Sequence, residues 1–106
     1  MSEVMHVETE ELQTLLHQSG VLVVDFYADW CMPCKMMAPV MDKLAADYDG
    51  RLKVVKVNTD ESPEAAEQYG VQSIPTIVVL KDGAVQSTTI GVQPYDTLAE
   101  AVEKAL

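Results

Sequence analysis

The sequence predicts an α/β domain: a mostly parallel sheet with one antiparallel edge, covered by helices. Three observations lead there. Segments rich in β-formers alternate with helix-patterned ones along the 106 residues. One of them, Val21-Leu22-Val23-Val24-Asp25-Phe26-Tyr27-Ala28, is almost continuously apolar, the pattern of a central strand buried on both faces. Later the alternation gives way to two strand-like runs flanking Asp82-Gly83, a strong hairpin signal.

The elements follow in order. Val4 to Val7 reads as a short edge strand. Thr9 is placed to cap a helix, with Glu10 and Glu11 in its acid-preferring first turn. Leu12, Leu15 and Leu16 then recur at helical spacing, with a stop near Gly20. After the central strand, Pro33 fits the first turn of a second helix. Its buried stripe is Met37, Val40, Met41, Leu44 and Tyr48, and Gly50 closes it. Pro39, inside this helix, removes a backbone donor and clashes with the carbonyl of Lys35, which predicts a kink. Leu52 to Val57 is a third strand, and Ser62-Pro63 opens a short helix that Gly70 stops. Ile77 to Leu80 and Ala84 to Ile90 are the hairpin strands. Gln93-Pro94 opens a last helix with Tyr95, Leu98, Val102 and Ala105 on one face. The order is β-α-β-α-β-α-β-β-α. No repeat, linker or low-complexity segment divides it, so residues 1–106 are expected to form a single domain.

Composition narrows the function. With 48% hydrophobic and 23% charged residues the chain can bury a core, which argues against disorder. Two cysteines are too few for a disulfide-rich scaffold. The longest apolar runs, Val21–Val24 and Ile77–Leu80, are four residues each. A membrane helix needs about 20. The start, MSEVMHVETEEL, has neither the basic nor the apolar region of a signal peptide, so a cytoplasmic location is expected. Seven basic against seventeen acidic residues leave a net charge of −10, which repels phosphate backbones, so neither nucleic acid nor membrane is an expected partner. The acids are spread along the chain: a solvated acidic surface, or one that prefers a basic partner face.

The chemistry centres on Trp30-Cys31-Met32-Pro33-Cys34, at the junction of the buried strand and the second helix. Free N–H groups and the positive end of the helix dipole converge there. A thiolate at Cys31 is stabilised, its pKa falls, and it becomes nucleophilic near neutral pH. Cys34 lies one turn on, close enough to resolve a mixed disulfide formed by Cys31, and deeper in the helix, so less accessible. Pro33 limits the backbone geometry between them. Other readings are two structural thiols, ill-suited to an exposed turn, or a metal or iron–sulfur centre bridging two chains. A zinc site within one chain wants about four ligands, and only the distant His6 and His17 could join the cysteines. Asp25 is an ionisable residue amid apolar neighbours: it either reaches solvent at a strand end or is buried with a raised pKa, able to exchange a proton with Cys34. Met36, Met37 and Met41 crowd one helix and read as core filling, with a methionine-rich docking surface as the alternative.

At these residues the chain resembles the thioredoxin family. The resemblance runs through Val23 to Lys35, Ala38-Pro39, Val57 to Asp60, Tyr69-Gly70-Val71, Ile74-Pro75-Thr76, Lys81-Asp82-Gly83 and Gly91. It implies the thioredoxin fold, a five-stranded mixed sheet flanked by four helices. It also implies dithiol–disulfide exchange with disulfide-containing protein substrates and re-reduction by a thioredoxin reductase. The Cys31–Cys34 pair would be the only redox group, with no other cofactor and no metal, in a chain expected to be a monomer. The resemblance puts proton exchange on Asp25 and makes Lys56 its partner; from the residues alone Lys56 could equally snorkel to the surface. It implies a cis Ile74–Pro75 bond facing the cysteines, where the residues alone suggest an ordinary trans proline. A cis bond there would leave the Ile74 backbone free to pair with an extended substrate. Trp30, Met32, Pro33, Ile74, Pro75, Gly91 and Val92 would form an apolar rim, although Gly91 could simply end a strand. Two positions depart from the family pattern: Met32 stands where glycine is usual, and Tyr27 where tryptophan is frequent. A protein-disulfide reductase is therefore expected. A disulfide oxidase or isomerase of higher potential, and a non-catalytic binding module, are the alternatives.

Overall fold

The computed structural model describes residues 4–106. Met1 to Glu3, the start of the expected 1–106 domain, lie outside the described residues. The elements are β1 (Met5–His6), α1 (Thr9–Leu16), β2 (Val21–Tyr27), α2 (Met32–Asp47), β3 (Leu52–Asn58), α3 (Pro63–Gln68), β4 (Thr76–Lys81), β5 (Ala84–Ile90) and α4 (Tyr95–Ala105). They build the expected five-stranded mixed sheet with four helices, in the order β1-β3-β2-β4-β5.

β2 sits at the centre because six of its seven residues are buried. Val21 and Val23 face one core, shared with Met37, Met41 and Leu44 of α2 and Leu98 and Val102 of α4. Leu22, Val24 and Phe26 face the other, with Leu12 of α1 and Ala65 and Ala66 of α3. Alternation along a strand sends neighbours to opposite faces, so one apolar run supplies both cores. At the far end of α2, Asp47 Oδ2 accepts from Lys43 Nζ and from the Tyr95 hydroxyl, both at 2.6 Å, tying α2 to α4.

Strand direction departs from the residue-level expectation. β1, β3 and β2 are parallel, but β4 runs antiparallel to β2 as well as to β5, so half of the pairings are antiparallel. The reason is length. The six residues of α3 rise only about 9 Å, whereas β3's seven span about 23 Å. α3 therefore does not carry the chain back to the starting end of the sheet, and β4 enters from the end where β3 finished.

Smaller differences concern ends and faces. α1 is capped by Glu8, whose N–H donates to Glu11 Oε1 at 3.3 Å, and Thr9 is its first helical residue. α1 stops at Leu16, before Gly20. Gly20 instead clasps the hairpin: its N–H donates to Asp82 Oδ1 at 2.7 Å and its carbonyl accepts from the Asp82 N–H at 2.9 Å. α2 continues through Pro39 to Asp47. Of its methionines, Met37 and Met41 are core but Met36 is 57% exposed, because it falls out of phase with the buried stripe. β5 is the longer sheet edge and carries no charged side chain; β1, the other edge, has two residues.

Asp82 and Gly83 both have positive φ, 51° and 83°, as the tight hairpin turn requires. A Cβ on Gly83 would stand 2.6 Å from the backbone oxygen of Leu16, whereas one on Gly50 would meet nothing within 4 Å at a similar φ. Gly50→Ala should therefore cost about 1 kcal/mol from left-handed backbone alone. Gly83→Ala should cost clearly more in urea unfolding, because a backbone oxygen does not yield. Equal costs for the two would mean that the α1–hairpin contact constrains nothing.

Candidate active site

Four residues, Ala28 to Cys31, turn the chain from the end of β2 into α2. The Cys31 N–H donates to the Ala28 carbonyl at 3.2 Å, which sets Cys31 as the N-cap of α2. Its Sγ accepts the Cys34 N–H at 3.2 Å, so sulfur takes the place of the usual capping oxygen on one of the helix's free donors. Cys31 and Cys34 form a disulfide with Cα atoms 5.3 Å apart.

The sulfurs are less open than an exposed turn suggests. Cys31 is 4% exposed and Cys34 5%, so exposure does not rank them as expected. Ala28 clusters with the two cysteines, and Tyr27 and Ile74 pack against that cluster. The surroundings of the two sulfurs do differ. Cys31 Sγ lies 3.8 Å from the Ile74 carbonyl oxygen, while Cys34 borders a cleft on the other side.

The Ile74–Pro75 bond is cis. Among the described residues, no backbone group pairs with the N–H or carbonyl of Ile74, while the Pro75 carbonyl accepts the Gly91 N–H at 2.8 Å. That bond brings Gly91, at φ 85°, and the following Val92 towards the proline loop. Of the expected rim, Trp30, Met32, Pro33 and Val92 are exposed, Ile74 and Gly91 half-buried, and Pro75 buried. Trp30 is held from the side: its Nε1–H donates to Asp60 Oδ2 at 2.8 Å.

Behind the disulfide lies a cleft of about 200 Å³, lined by Asp25, Cys34 and Lys56 among others. Asp25 does not reach solvent at a strand end; it is 5% exposed, and its Oδ1 has no hydrogen-bond partner. Burial raises its pKa to about 7, outweighing the opposing pull of the Lys56 charge. Lys56 sits opposite Asp25 in the β2–β3 register, half-buried, with Nζ 5.6 Å from the Tyr27 ring centroid. Its charge acts on Asp25 from the same cleft.

Several neighbours were not foreseen. Asp29, Lys35, Ala38 and Asp42 line the same cleft, and Asp60 orients Trp30. Lys35, Ala38 and Asp42 fall at helical spacing on one face of α2, a signal readable only once that face is known to border Asp25. Among the described residues no group of three or more His, Cys, Asp or Glu could hold a metal ion, and no helix is long and apolar enough to cross a membrane.

Comparison with known proteins places this geometry. The thioredoxin family model matches residues 3–104. A thioredoxin of Staphylococcus saprophyticus is 52% identical over 89 residues, covering 84% of this chain and 86% of that protein. Thioredoxin 1 of Synechococcus elongatus is 50% identical over 94 residues, covering 89% and 88%. A mutant thioredoxin from Halobacterium salinarum superposes with a TM-score of 0.88 at 36% identity, over 97% of this chain and 90% of that one. Sequence and architecture thus agree over nearly the whole length: the chain belongs to the thioredoxin family and is a protein-disulfide reductase acting by thiol–disulfide exchange.

Proposed function

We propose that Cys31 is the attacking thiol and Cys34 the resolving one. The observation that carries this is the Cys31 sulfur at the N-cap of α2, accepting the Cys34 N–H. There the helix dipole and that donor stabilise a thiolate. The Cys31 thiolate attacks the substrate disulfide, forms a mixed disulfide and releases one substrate thiolate. Cys34 loses its proton, attacks Cys31 Sγ and displaces the second. Two electrons pass to the substrate, and the Cys31–Cys34 disulfide remains. Asp25, across the cleft, takes up the Cys34 proton directly or through a water, with Lys56 holding its titration near neutral pH.

The unpaired Ile74 backbone supports docking of an extended substrate segment by strand addition, against the rim of Trp30, Met32, Pro33, Pro75, Gly91 and Val92. A thioredoxin reductase returns the disulfide to the dithiol, and no further cofactor or metal takes part. We read the chain as a single-domain, cytoplasmic monomer.

Three outcomes test these roles. Cys34→Ser should accumulate a mixed disulfide through Cys31, and alkylation of the reduced protein near pH 7 should label Cys31 first; preferential labelling of Cys34 would reverse the assignment.

The second concerns pH. Asp25 titrates at about 7 folded and near 3.8 unfolded, so between these values the native state holds the extra proton. Stability from this group is present below pH 3.8, falls as pH rises through the window, and levels off above about 7. Asp25→Ala should therefore stabilise the fold at pH 8 by on the order of 4 kcal/mol more than at pH 4, while slowing disulfide exchange. A gain independent of pH, with exchange unchanged, would remove Asp25 from the mechanism.

The third is Met32→Gly. The residues between the cysteines help set thiolate stability, and about 30 mV corresponds to tenfold in equilibrium constant. The potential should move by tens of millivolts at most in glutathione equilibration, with a larger change in turnover by different reductases. A shift beyond about 60 mV would make redox tuning the main role of Met32.

A further inference from the structure

The methionines of α2 divide sharply by face. Met37 and Met41 are 0% and 1% exposed, sealed in the core. Met32 and Met36 are 64% and 57% exposed and lie four residues apart, one above the other on the outer face. Met32 directly follows the capping cysteine and stands in the rim proposed to receive substrate. Two exposed thioethers beside a redox disulfide are unusual as surface filling: they are flexible, apolar and chemically reactive.

We propose that Met32 and Met36 form a peroxide-sensitive modification site that controls docking of protein substrates. A hydroperoxide transfers one oxygen atom to the thioether. Its O–O bond breaks and an S–O bond forms; sulfur loses two electrons, and hydrogen peroxide leaves as water. The product sulfoxide is polar and chiral. Seating it against an apolar substrate segment strips its hydration without supplying a donor, so docking weakens. The disulfide form already has both cysteine sulfurs bonded, so the exposed thioethers are the open sulfur targets beside it. Protein substrates lean on this surface, whereas a small disulfide reagent needs only the Cys31 sulfur. The modification thus changes which substrates are served without touching the reacting pair. The inference rests on the Cys31 docking face proposed above.

The test treats the disulfide form of the whole chain with hydrogen peroxide, removes the oxidant, maps methionines by mass spectrometry, and then reduces the cysteines. Met32 and Met36 should gain oxygen while Met37 and Met41 do not. kcat/KM for insulin reduction should fall roughly tenfold, while the rate with a small aromatic disulfide holds. Incubation with methionine sulfoxide reductases and a dithiol should restore the insulin rate. The Met32→Leu, Met36→Leu double variant, compared with its own untreated rate, should lose nothing to peroxide, whereas Met5→Leu should lose as much as the unaltered chain. Full insulin turnover after both sulfurs are oxidised would overturn the proposal, as would equal loss in the double variant. If untreated protein reduces the small reagent but not insulin, the docking face itself is wrong, which is a separate failure.

Discussion

Burial of β2 on both faces is the constraint from which the rest of the molecule follows. Val23, Val24 and Phe26 are fully covered, and they serve opposite cores. Because one strand anchors both layers, its end cannot shift without disturbing helices on each side. The turn from Ala28 to Cys31 starts from that fixed end, so the position of the α2 N-terminus is inherited from core packing. The two sulfurs are thereby placed by the least deformable part of the fold, although they belong to a loop and a first helical turn.

Asp25 is the one carboxylic acid in that strand. An apolar side chain would suit the site better for stability, since burying an unpartnered carboxyl is unfavourable. The strand tolerates it because the cleft beside Cys34 leaves room and Lys56 supplies a compensating charge at one remove. The same burial that weakens the fold above neutral pH brings the carboxyl into a range where it can exchange protons.

Local pattern was enough to read element order, the central strand, the hairpin turn and the cysteine pair. Each depends on periodicity or on a turn residue with a specific backbone demand, as at Asp82-Gly83. What local pattern does not contain is where distant segments meet. The direction of β4 depends on comparing the reach of α3 with the length of β3. The covering of Cys31 depends on Ile74, 43 positions away. Met36 differs from Met37 only by helical phase, which a cluster of methionines conceals. Gly20 looked like a helix stop because glycine serves there so often; its real partner is Asp82, 62 positions on. For Asp25 and Lys56, composition could raise the question, but only the register and the cleft answer it.

The two sheet edges are unequal, and this bears on how copies of the chain tolerate one another. β1 offers too short a ladder to template another strand. β5 offers seven residues, with Val85 and Ile90 half or more exposed and no lysine or proline to blunt pairing. Within the strand only the bulge at Gln86, opposite the Val79–Leu80 step, opposes edge-to-edge association; the rest of the opposition comes from the whole surface, through a net charge of −10. That repulsion weakens with added salt and vanishes near the isoelectric point of 4.3. Colloidal protection of this sheet is therefore a property of the medium as much as of the fold, and mildly acidic, salty surroundings are where it runs out.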